Sequence, residues 1–246
     1  METLSHFIKE FTNTALGLIY PEVCQLCGAQ RAGPNECYIC GECRQAVRHV
    51  EAPFCERCGF PFEGSITTPF ECSKCREADW EFSSARSAVI ARDQVLEVIH
   101  RYKYQHAMWF EPFLAQLLID RAGPELAGWD CLVPVPLHPA KQREREFNQA
   151  ERLARCLSRA TGLPVNTRLI ERRVATQTQT LLSREERLDN VRRAFAARNS
   201  GVRLNGERVI VIDDVFTTGA TTGACARILR SMGAGDVCVW TVARGI

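Results

Sequence analysis

Apolar residues after position 80 of the chain follow two alternating patterns: short solid runs, and stretches with helical spacing. The short runs predict buried β-strands, and the spaced stretches predict amphipathic helices. The predicted strands cover residues 87–91, 131–136, 208–212 and 237–242, and the predicted helices cover residues 95–104, 110–121, 147–161, 183–193 and 221–232. Strands that alternate with helices indicate an α/β domain with a parallel sheet flanked by helices.

The first 20 residues have apolar positions at helical spacing and predict a short helix that packs on its own protein. They lack the basic start, the solid apolar run and the cleavage site of a secretory signal. No stretch of the chain approaches the roughly 20 apolar residues that span a bilayer. We therefore expect a cytoplasmic protein without a transmembrane segment. Its 246 residues, 46% of them hydrophobic, suffice for a packed core.

The chain has thirteen cysteines, and in a reducing compartment clustered thiols usually bind metal. Eight of them form four CxxC pairs: Cys24/Cys27, Cys40/Cys43, Cys55/Cys58 and Cys72/Cys75. Two such turns complete a tetrahedral site, so the eight thiolates predict two structural zinc ions with no open coordination position. The simplest grouping is sequential, although the spacing also allows an alternating cross-brace. Gly28 and Gly59 follow the first pair of each set, which is typical of zinc knuckles.

The other five cysteines are not part of this pattern. Cys37 is either a free thiol or a competing ligand, and four cysteines in apolar or helical patterns are expected to be small core residues: Cys131, Cys156, Cys225 and Cys238. A thioredoxin-like redox site would have one CxxC pair in a βαβ setting, so four pairs favour zinc. The predicted organisation is a helix over residues 1–20, a double zinc ribbon over residues 21–79 and an α/β domain over residues 80–246.

Residues 209–221 read Val-Ile-Val-Ile-Asp-Asp-Val-Phe-Thr-Thr-Gly-Ala-Thr and form the most specific motif of the α/β part. An apolar strand brings the carboxylates of Asp213 and Asp214 to the sheet edge where open α/β sheets bind ligands. The three threonine hydroxyls and the backbone amides at the start of the next helix suit a phosphate. The carboxylates suit sugar hydroxyls or Mg²⁺. The motif lacks the lysine of a Walker A loop and the three glycines of a dinucleotide fingerprint.

This motif resembles the phosphoribosyl pyrophosphate motif of type I phosphoribosyltransferases, in which the position of Phe216 is usually aliphatic. The resemblance implies a type I phosphoribosyltransferase-like fold. It also implies that Asp213 and Asp214 face the ribose hydroxyls, with Mg²⁺ held through the ligand. The residues that it implies around the 5′-phosphate are Thr217, Thr218, Gly219, Ala220 and Thr221.

A second signature begins with Leu-Val-Pro-Val-Pro-Leu-His-Pro at residues 132–139, continues as a basic run and ends in Phe-Asn-Gln-Ala at residues 147–150. It resembles the ComF/GntX family, in which a double zinc ribbon precedes a phosphoribosyltransferase domain. The resemblance places the pyrophosphate loop here. It implies Lys141, Arg143 and Arg145 as the cations of this loop, and the family usually has glycine at the position of Glu146.

Two further segments resemble this family. Residues 179–191 correspond to the place where a flexible hood covers the ligand in this fold. The Arg-Tyr-Lys-Tyr sequence at residues 101–104 matches a basic-aromatic turn of the family more loosely, and we interpret Lys103 and Tyr104 as structural residues.

The resemblance implies a protein that binds phosphoribosyl pyrophosphate with Mg²⁺ and acts in DNA uptake or in the use of external DNA. Single-stranded DNA and DNA-uptake proteins are the partners that it implies. Residues 138–198 hold fourteen Lys and Arg against seven Asp and Glu, a local net charge of +7 in a chain of net charge +2, which favours an anionic partner. Two alternatives stay open: an active phosphoribosyltransferase of nucleotide salvage with an unidentified acceptor, and a non-catalytic zinc-ribbon adaptor.

Overall fold

The computed structural model describes residues 22–64, 68–174, 193–199 and 201–246. The predicted helices over residues 1–20 and 183–193, and the predicted hood over residues 179–191, lie wholly or almost wholly outside this part of the chain. Contacts between Cα atoms divide the chain into two compact units, Met1–Ala46 and Val47–Ile246. The predicted domain boundaries at residues 20/21 and 79/80 stay predictions.

The described part of the first unit is a small ribbon built around a turn. An antiparallel bridge joins Val23 to Arg31, and Gly28 closes the turn between them with a φ of +67°, a conformation that glycine adopts without strain. The amide of Gly28 donates to the carbonyl of Cys24 over 2.9 Å. A short 3-10 turn at Pro34–Glu36 and helix α1, Gly41–Gln45, follow in the described part of this unit.

The second unit contains a parallel sheet of four strands: β1 Ser84–Ile90, β2 Cys131–Pro134, β5 Arg208–Phe216 and β6 Asp236–Arg244. The strand order is β1-β6-β5-β2, so the two longest strands form the centre. Strands β3, Ile170–Arg172, and β4, Phe195–Ala197, form a separate antiparallel ribbon. The predicted strands of the sheet are all present. Strands β5 and β6 are longer than predicted because they pair with each other up to Phe216 and Arg244.

The helices in the described residues of the second unit are α2 Ser73–Glu77, α3 Asp93–Tyr104, α4 Glu111–Ala122, α5 Pro139–Arg145, α6 Gln149–Thr161 and α7 Ala220–Ser231. Two 3-10 turns, Met108–Phe110 and Gly123–Glu125, flank α4. Helices α4 and α6 pack on each other and on the sheet, and α7 packs on β5, β6 and the β3–β4 ribbon. None of the helices within the described ranges is long and apolar enough to cross a membrane.

The core follows from the period of two along each strand. Val209, Val211, Val237 and Val239 are fully buried against the side chains of α7, and the cysteines of residues 55–75 belong to the same apolar cluster. Cys225 and Cys238 are buried as predicted, whereas Cys131 and Cys156 are only partly buried. The predicted fold class is therefore confirmed: an α/β domain with a parallel sheet flanked by helices, preceded by a cysteine-rich segment.

Candidate functional site

The end of β5 is open on one side because its neighbour β2 stops early. Pro134 is the last residue of β2 and pairs with Ile212, and the amide of Val135 still donates to the Ile212 carbonyl over 2.9 Å. Proline cannot continue a central strand, since it lacks the amide that the ladder needs. Strand β5 continues to Phe216, so Asp213 and Asp214 follow directly on the last pairing with β2, at the carboxyl end of the sheet where open α/β folds bind ligands.

The carboxylates of Asp213 and Asp214 are both largely buried, with 9% and 3% of each residue exposed. Each carboxylate accepts a hydrogen bond from the next backbone amide, at 2.9 Å in both cases. Burial raises the pKa of Asp213 to about 6, while the positive charges of Lys103, Arg172 and Arg145 act to lower it. Three cations therefore lie close enough to compensate a carboxylate that water does not solvate.

Lys103 is the nearest of these cations. It lies at the end of α3, and its Nζ forms an ion pair with Oδ2 of Asp214. Burial lowers the pKa of Lys103 to about 8, although the charge of Asp213 acts to raise it. Tertiary packing thus brings the end of α3 onto the open edge of β5. Lys103 belongs to the candidate site, contrary to its interpretation from the sequence.

Of the three basic residues predicted for the pyrophosphate, Arg145 lies close enough to Asp213 for its charge to lower the pKa of that carboxyl. It is buried, its Nη1 donates to Oε1 of Gln149 over 3.1 Å, and its guanidinium lies 4.7 Å from the ring centroid of Tyr104. Lys141 instead pairs with Glu144 on the surface of α5. Arg143 is exposed and lines an open groove together with Pro139, Gln142 and Glu146.

The basic run is a helix rather than an extended loop. Pro139 occupies the first position of α5, and the Nδ1 atom of His138 caps it by accepting from the amide of Ala140 over 3.2 Å. The helix ends at Arg145, and its C-cap residue Glu146 has a φ of +65°. Only glycine adopts this conformation at no cost, so Glu146 is strained at this position.

The Phe-Asn-Gln-Ala sequence fixes the start of α6 to the end of β2. The side-chain oxygen of Asn148 accepts from the amides of Ala150 and Glu151 over 2.9 and 3.3 Å, and its Nδ2 donates to the Val135 carbonyl over 3.0 Å. One buried amide therefore caps a helix and satisfies a carbonyl where the sheet stops. Gln149, the next residue, orients Arg145 as described above.

The predicted phosphate loop joins β5 to α7. Gly219 is the N-cap of α7 with a φ of +81°, and Thr218 accepts from the amide of Ala220 over 3.4 Å. Thr217 and Thr218 are exposed, and Ala220 and Thr221 are partly exposed. The first amides of a helix have no partner within it, so the loop offers hydroxyls and amides to an anion.

Trp80 packs behind this loop, a contact that no local sequence pattern predicts. A Cβ atom on Gly219 would lie 2.9 Å from Cη2 of Trp80, and one on Gly223 would lie 2.9 Å from Cζ3 of Trp80. The ring of Trp80 stacks on Phe82 with centroids 5.1 Å apart, and Phe82 meets Phe216 edge to face at 6.1 Å. The aromatic Phe216 is thus accommodated by further aromatic residues.

The cysteines form two separate sets whose geometry fits zinc. Four sulfurs within 4.8 Å of one another form each set, with Cys24, Cys27, Cys40 and Cys43 in one and Cys55, Cys58, Cys72 and Cys75 in the other. The sulfurs on a tetrahedral zinc ion with Zn–S bonds of about 2.3 Å lie about 3.8 Å apart. The observed separations are 3.8 Å for two sulfur pairs of the first set and 3.9 Å for Cys58 and Cys72.

The two cysteine sets also have equivalent hydrogen bonds. The amide of Cys40 donates to the sulfur of Cys24 over 3.4 Å, and the amide of Cys72 donates to that of Cys55 over 3.3 Å. Such bonds stabilise thiolates in metal sites. The sequential grouping is therefore confirmed, and Cys37 belongs to neither set within the described ranges.

Comparisons with known proteins identify relatives for nearly the whole chain. Residues 15–78 match the family model described as a double zinc ribbon domain. Competence protein F of Haemophilus influenzae is 30% identical over 211 residues, which cover 84% of this chain and 90% of that protein. The DNA utilization protein YhgH of Salmonella typhi is 30% identical over 232 residues, with coverage of 92% and 99%. Competence protein ComFC of Bacillus subtilis is 28% identical over 248 residues, with coverage of 95% and 99%.

Among solved structures, the chain is similar to adenine phosphoribosyltransferase from Saccharomyces cerevisiae. The identity is 14%, the match covers 57% of this chain and 73% of the other, and the TM-score is 0.36. For purine phosphoribosyltransferase from Pyrococcus horikoshii, the identity is 12%, the coverage is 55% and 83%, and the TM-score is 0.34.

Proposed function

The chain belongs to the competence protein F family, and we propose that it binds phosphoribosyl pyrophosphate together with Mg²⁺ and acts in DNA uptake or in the use of external DNA. The observation that carries this proposal is the arrangement of charges at the end of β5. Two buried carboxylates lie among three buried or partly buried cations, next to a hydroxyl-rich loop that begins a helix. A ligand with sugar hydroxyls and several phosphate charges matches each part of this arrangement.

The ribose and the 5′-phosphate would occupy two adjoining parts of the site. Asp213 and Asp214 accept hydrogen bonds from the ring hydroxyls, and residues 217–221 donate amide and hydroxyl hydrogens to the phosphate. When no ligand is bound, Lys103 pairs with Asp214 at the position that a ring hydroxyl would occupy. Binding therefore exchanges the Lys103–Asp214 ion pair for hydroxyl hydrogen bonds, and releases the lysine to face the phosphates.

Arg145 is the cation that we assign to the pyrophosphate. Its charge acts on both Asp213 and Lys103, and it is held by Gln149 and the ring of Tyr104. A guanidinium that is already oriented loses little entropy when it binds two phosphate oxygens. Arg143, in its exposed groove, is the second candidate, and Lys141 is the third.

Mg²⁺ fits this site only as part of the ligand. Magnesium prefers a shell of oxygen ligands, yet Asp213 lies within reach of the charges of Lys103, Arg172 and Arg145, and Asp214 pairs with Lys103. These cations disfavour a divalent ion coordinated by the protein alone. We therefore propose that Mg²⁺ binds as a complex with the pyrophosphate oxygens. Asp213 and Asp214 would then interact with the ion only through the ligand.

A transferase reaction at this site would break the bond between ribose C1 and the pyrophosphate oxygen. The pyrophosphate takes the electron pair, and an acceptor nucleophile forms the new bond to C1. Arg145 and Lys103 would stabilise the charge that develops on the leaving group. A screen of bases and amines for consumption of the donor decides between transfer and binding alone, and names the acceptor if there is one.

Calorimetric titration of the zinc-loaded protein with phosphoribosyl pyrophosphate and Mg²⁺ tests the binding proposal. We expect saturable heat in the wild type, and an affinity about 10- to 100-fold lower in Arg145→Ala, because one hydrogen-bonded charge pair is lost. Arg159→Ala is the matched control, because Arg159 is exposed in the last turn of α6, at the opposite end of that helix from Gln149. This variant should bind like the wild type. Absence of heat in the folded wild type would overturn the proposal.

The role in DNA uptake has support from the names of two relatives, a competence protein and a DNA utilization protein, and from the basic segment at residues 138–198. Contacts between lysine or arginine and a phosphate backbone release counterions, so affinity falls steeply with salt. We expect single-stranded DNA to bind with a clear negative slope of log affinity against log salt. Binding that is absent, or insensitive to salt, would contradict a direct DNA contact and favour the adaptor alternative.

A further inference from the structure

One buried arginine, Arg244 at the end of β6, connects the second cysteine set to the predicted phosphate loop. Its Nη1 atom donates to the carbonyls of Phe216 and Thr217 over 3.0 and 2.9 Å. Its Nε atom donates to the carbonyl of Cys58 over 3.2 Å, and its Nη2 atom lies 3.8 Å from the sulfur of the same cysteine. A single guanidinium thus satisfies backbone carbonyls in both segments.

The surroundings of Arg244 hold the guanidinium in this position. Only 6% of the residue is exposed, and the guanidinium lies between the rings of Phe216 and Phe60, with centroid distances of 4.8 and 5.3 Å. A buried charge without solvent depends on its hydrogen-bond partners, so the loss of either segment would leave donors unsatisfied. The two segments are therefore expected to order one another.

A second connection starts from residues 55–59, the turn that carries Cys55 and Cys58. We call this turn the second knuckle. Nη2 of Arg57 donates to the carbonyl of Trp80 over 2.7 Å, and Trp80 covers Gly219 and Gly223 in the phosphate loop and the first turn of α7. The knuckle is itself fixed to β1, because the amide of Ala85 donates to the Arg57 carbonyl over 2.7 Å.

A Cβ atom on Gly59 would lie 2.7 Å from the Ala85 carbonyl oxygen, so the knuckle approaches β1 closely. The knuckle is therefore held against β1 of the sheet. It also has two separate contacts toward the phosphate loop, through Arg244 and through Trp80. Cys58, which Arg244 contacts, is also one of the four ligands of the second set.

From these contacts we propose that the second knuckle, through Arg244 and Trp80, positions the phosphate loop, so that zinc at the second cysteine set and an anion in the loop stabilise one another. Arg244 is a positioning residue, since its donors are used on carbonyls. The anion arm of this proposal rests on the proposed function, whereas the connection between the zinc site and the loop does not.

Hydrogen exchange measured by mass spectrometry tests the connection without any ligand. In Arg244→Met, we expect the amides of residues 217–223 to exchange at least about tenfold faster than in the wild type, with zinc content unchanged. Amides of residues 209–212, in the buried centre of β5, check that the sheet is still folded. Arg208→Met is the matched control, because Arg208 lies at the opposite end of β5, where its Nη1 donates to the Gly128 carbonyl. Unchanged exchange at residues 217–223 in a folded Arg244→Met overturns the proposal.

A wild-type experiment decides the matter if Arg244→Met does not fold. Stepwise removal of zinc by a chelator should speed exchange at residues 217–223 when the second set loses its ion. Cys27→Ser identifies the contribution of the first set, since Cys27 supplies none of the contacts described above. Loop exchange that does not respond to zinc at the second set contradicts the proposal.

The anion arm uses ribose 5-phosphate as the probe. Because coupling between two sites is reciprocal, the bound probe should slow zinc release from the second set several-fold. If exchange responds to zinc but the probe does not bind, the proposed function fails and the connection stands. If the probe binds but leaves zinc release unchanged, the coupling is wrong and the proposed function stands.

Discussion

Gly219→Ala gives a sharp test of how the phosphate loop is built. The residue has a φ of +81°, and its added Cβ would meet Cζ of Phe216 at 2.7 Å and Cη2 of Trp80 at 2.9 Å. A left-handed conformation costs a residue with a Cβ about 1–2 kcal/mol, and overpacking of a buried site costs about 1–3 kcal/mol more. We therefore expect the free energy of unfolding to fall by about 2–5 kcal/mol.

Urea unfolding of the zinc-loaded protein, followed by tryptophan fluorescence and far-UV circular dichroism, measures this loss. Gly162→Ala isolates the backbone cost, because Gly162 has a φ of +79° and no atom within 4 Å of the added Cβ. Phe216→Leu in the Gly219→Ala background should recover part of the loss by removing the ring. A Gly219→Ala variant no less stable than Gly162→Ala would refute the packing that we describe around the loop.

Three further predictions concern the cap, the buried carboxylate and the metal. Asn148→Ala should lower the free energy of unfolding by about 2–4 kcal/mol in the same urea assay, since it removes a helix cap and leaves a buried carbonyl unsatisfied; Asn199→Ala, in an exposed turn, should change it by less than about 0.5 kcal/mol. The pKa of Asp213 is about 6 in the folded protein and 3.8 in its ordinary state, so folding favours the protonated carboxyl. The stability that this preference contributes is fully present below pH 3.8, and it is lost as the pH rises through 6. The wild type should therefore lose about 3 kcal/mol relative to Asp213→Asn across that window, and urea curves that run parallel in pH would contradict this. Elemental analysis should find two zinc ions per chain and one in Cys72→Ser, and any other wild-type number would contradict the two-site geometry.

Features coded by local sequence were predictable before the structure was known. The four strands of the sheet, most helices and both cysteine sets follow from apolar spacing and from CxxC turns, which depend on neighbouring residues alone. Local sequence does not set the ends of β5 and β2, because their pairing partners do: β6 extends β5 to Phe216, and the prolines end β2 at Pro134.

The predicted elements do not include helix α5, although its signals are present in the sequence. Pro139 suits the first helical position and His138 precedes it as a cap, so the basic run carries a recognisable helix start. The ribbon of β3 and β4 has only three residues per strand, which is too short for a periodic pattern to be recognised.

The residues that complete the candidate site could not be assigned from spacing. Lys103 lies 111 positions before Asp214 in the chain, and Trp80 lies 139 positions before Gly219. Their contacts depend on how α3 and the segment before β1 pack against the sheet. Arg244 sits at the end of an apolar strand, where a charged residue usually marks the return to solvent, yet here it is buried between two rings.

The most direct test of the site is a pair of calorimetric titrations with ribose 5-phosphate and 2-deoxyribose 5-phosphate. Both sugars carry the phosphate that residues 217–221 should bind, and they differ by one hydroxyl that the carboxylates should recognise. Because a hydrogen bond to a charged group contributes about 1.5–3 kcal/mol, we expect ribose 5-phosphate to bind at least about tenfold more tightly, and the difference to vanish in Asp213→Asn/Asp214→Asn. Equal affinities for the two sugars in the wild type would contradict the assignment of Asp213 and Asp214 to the ribose.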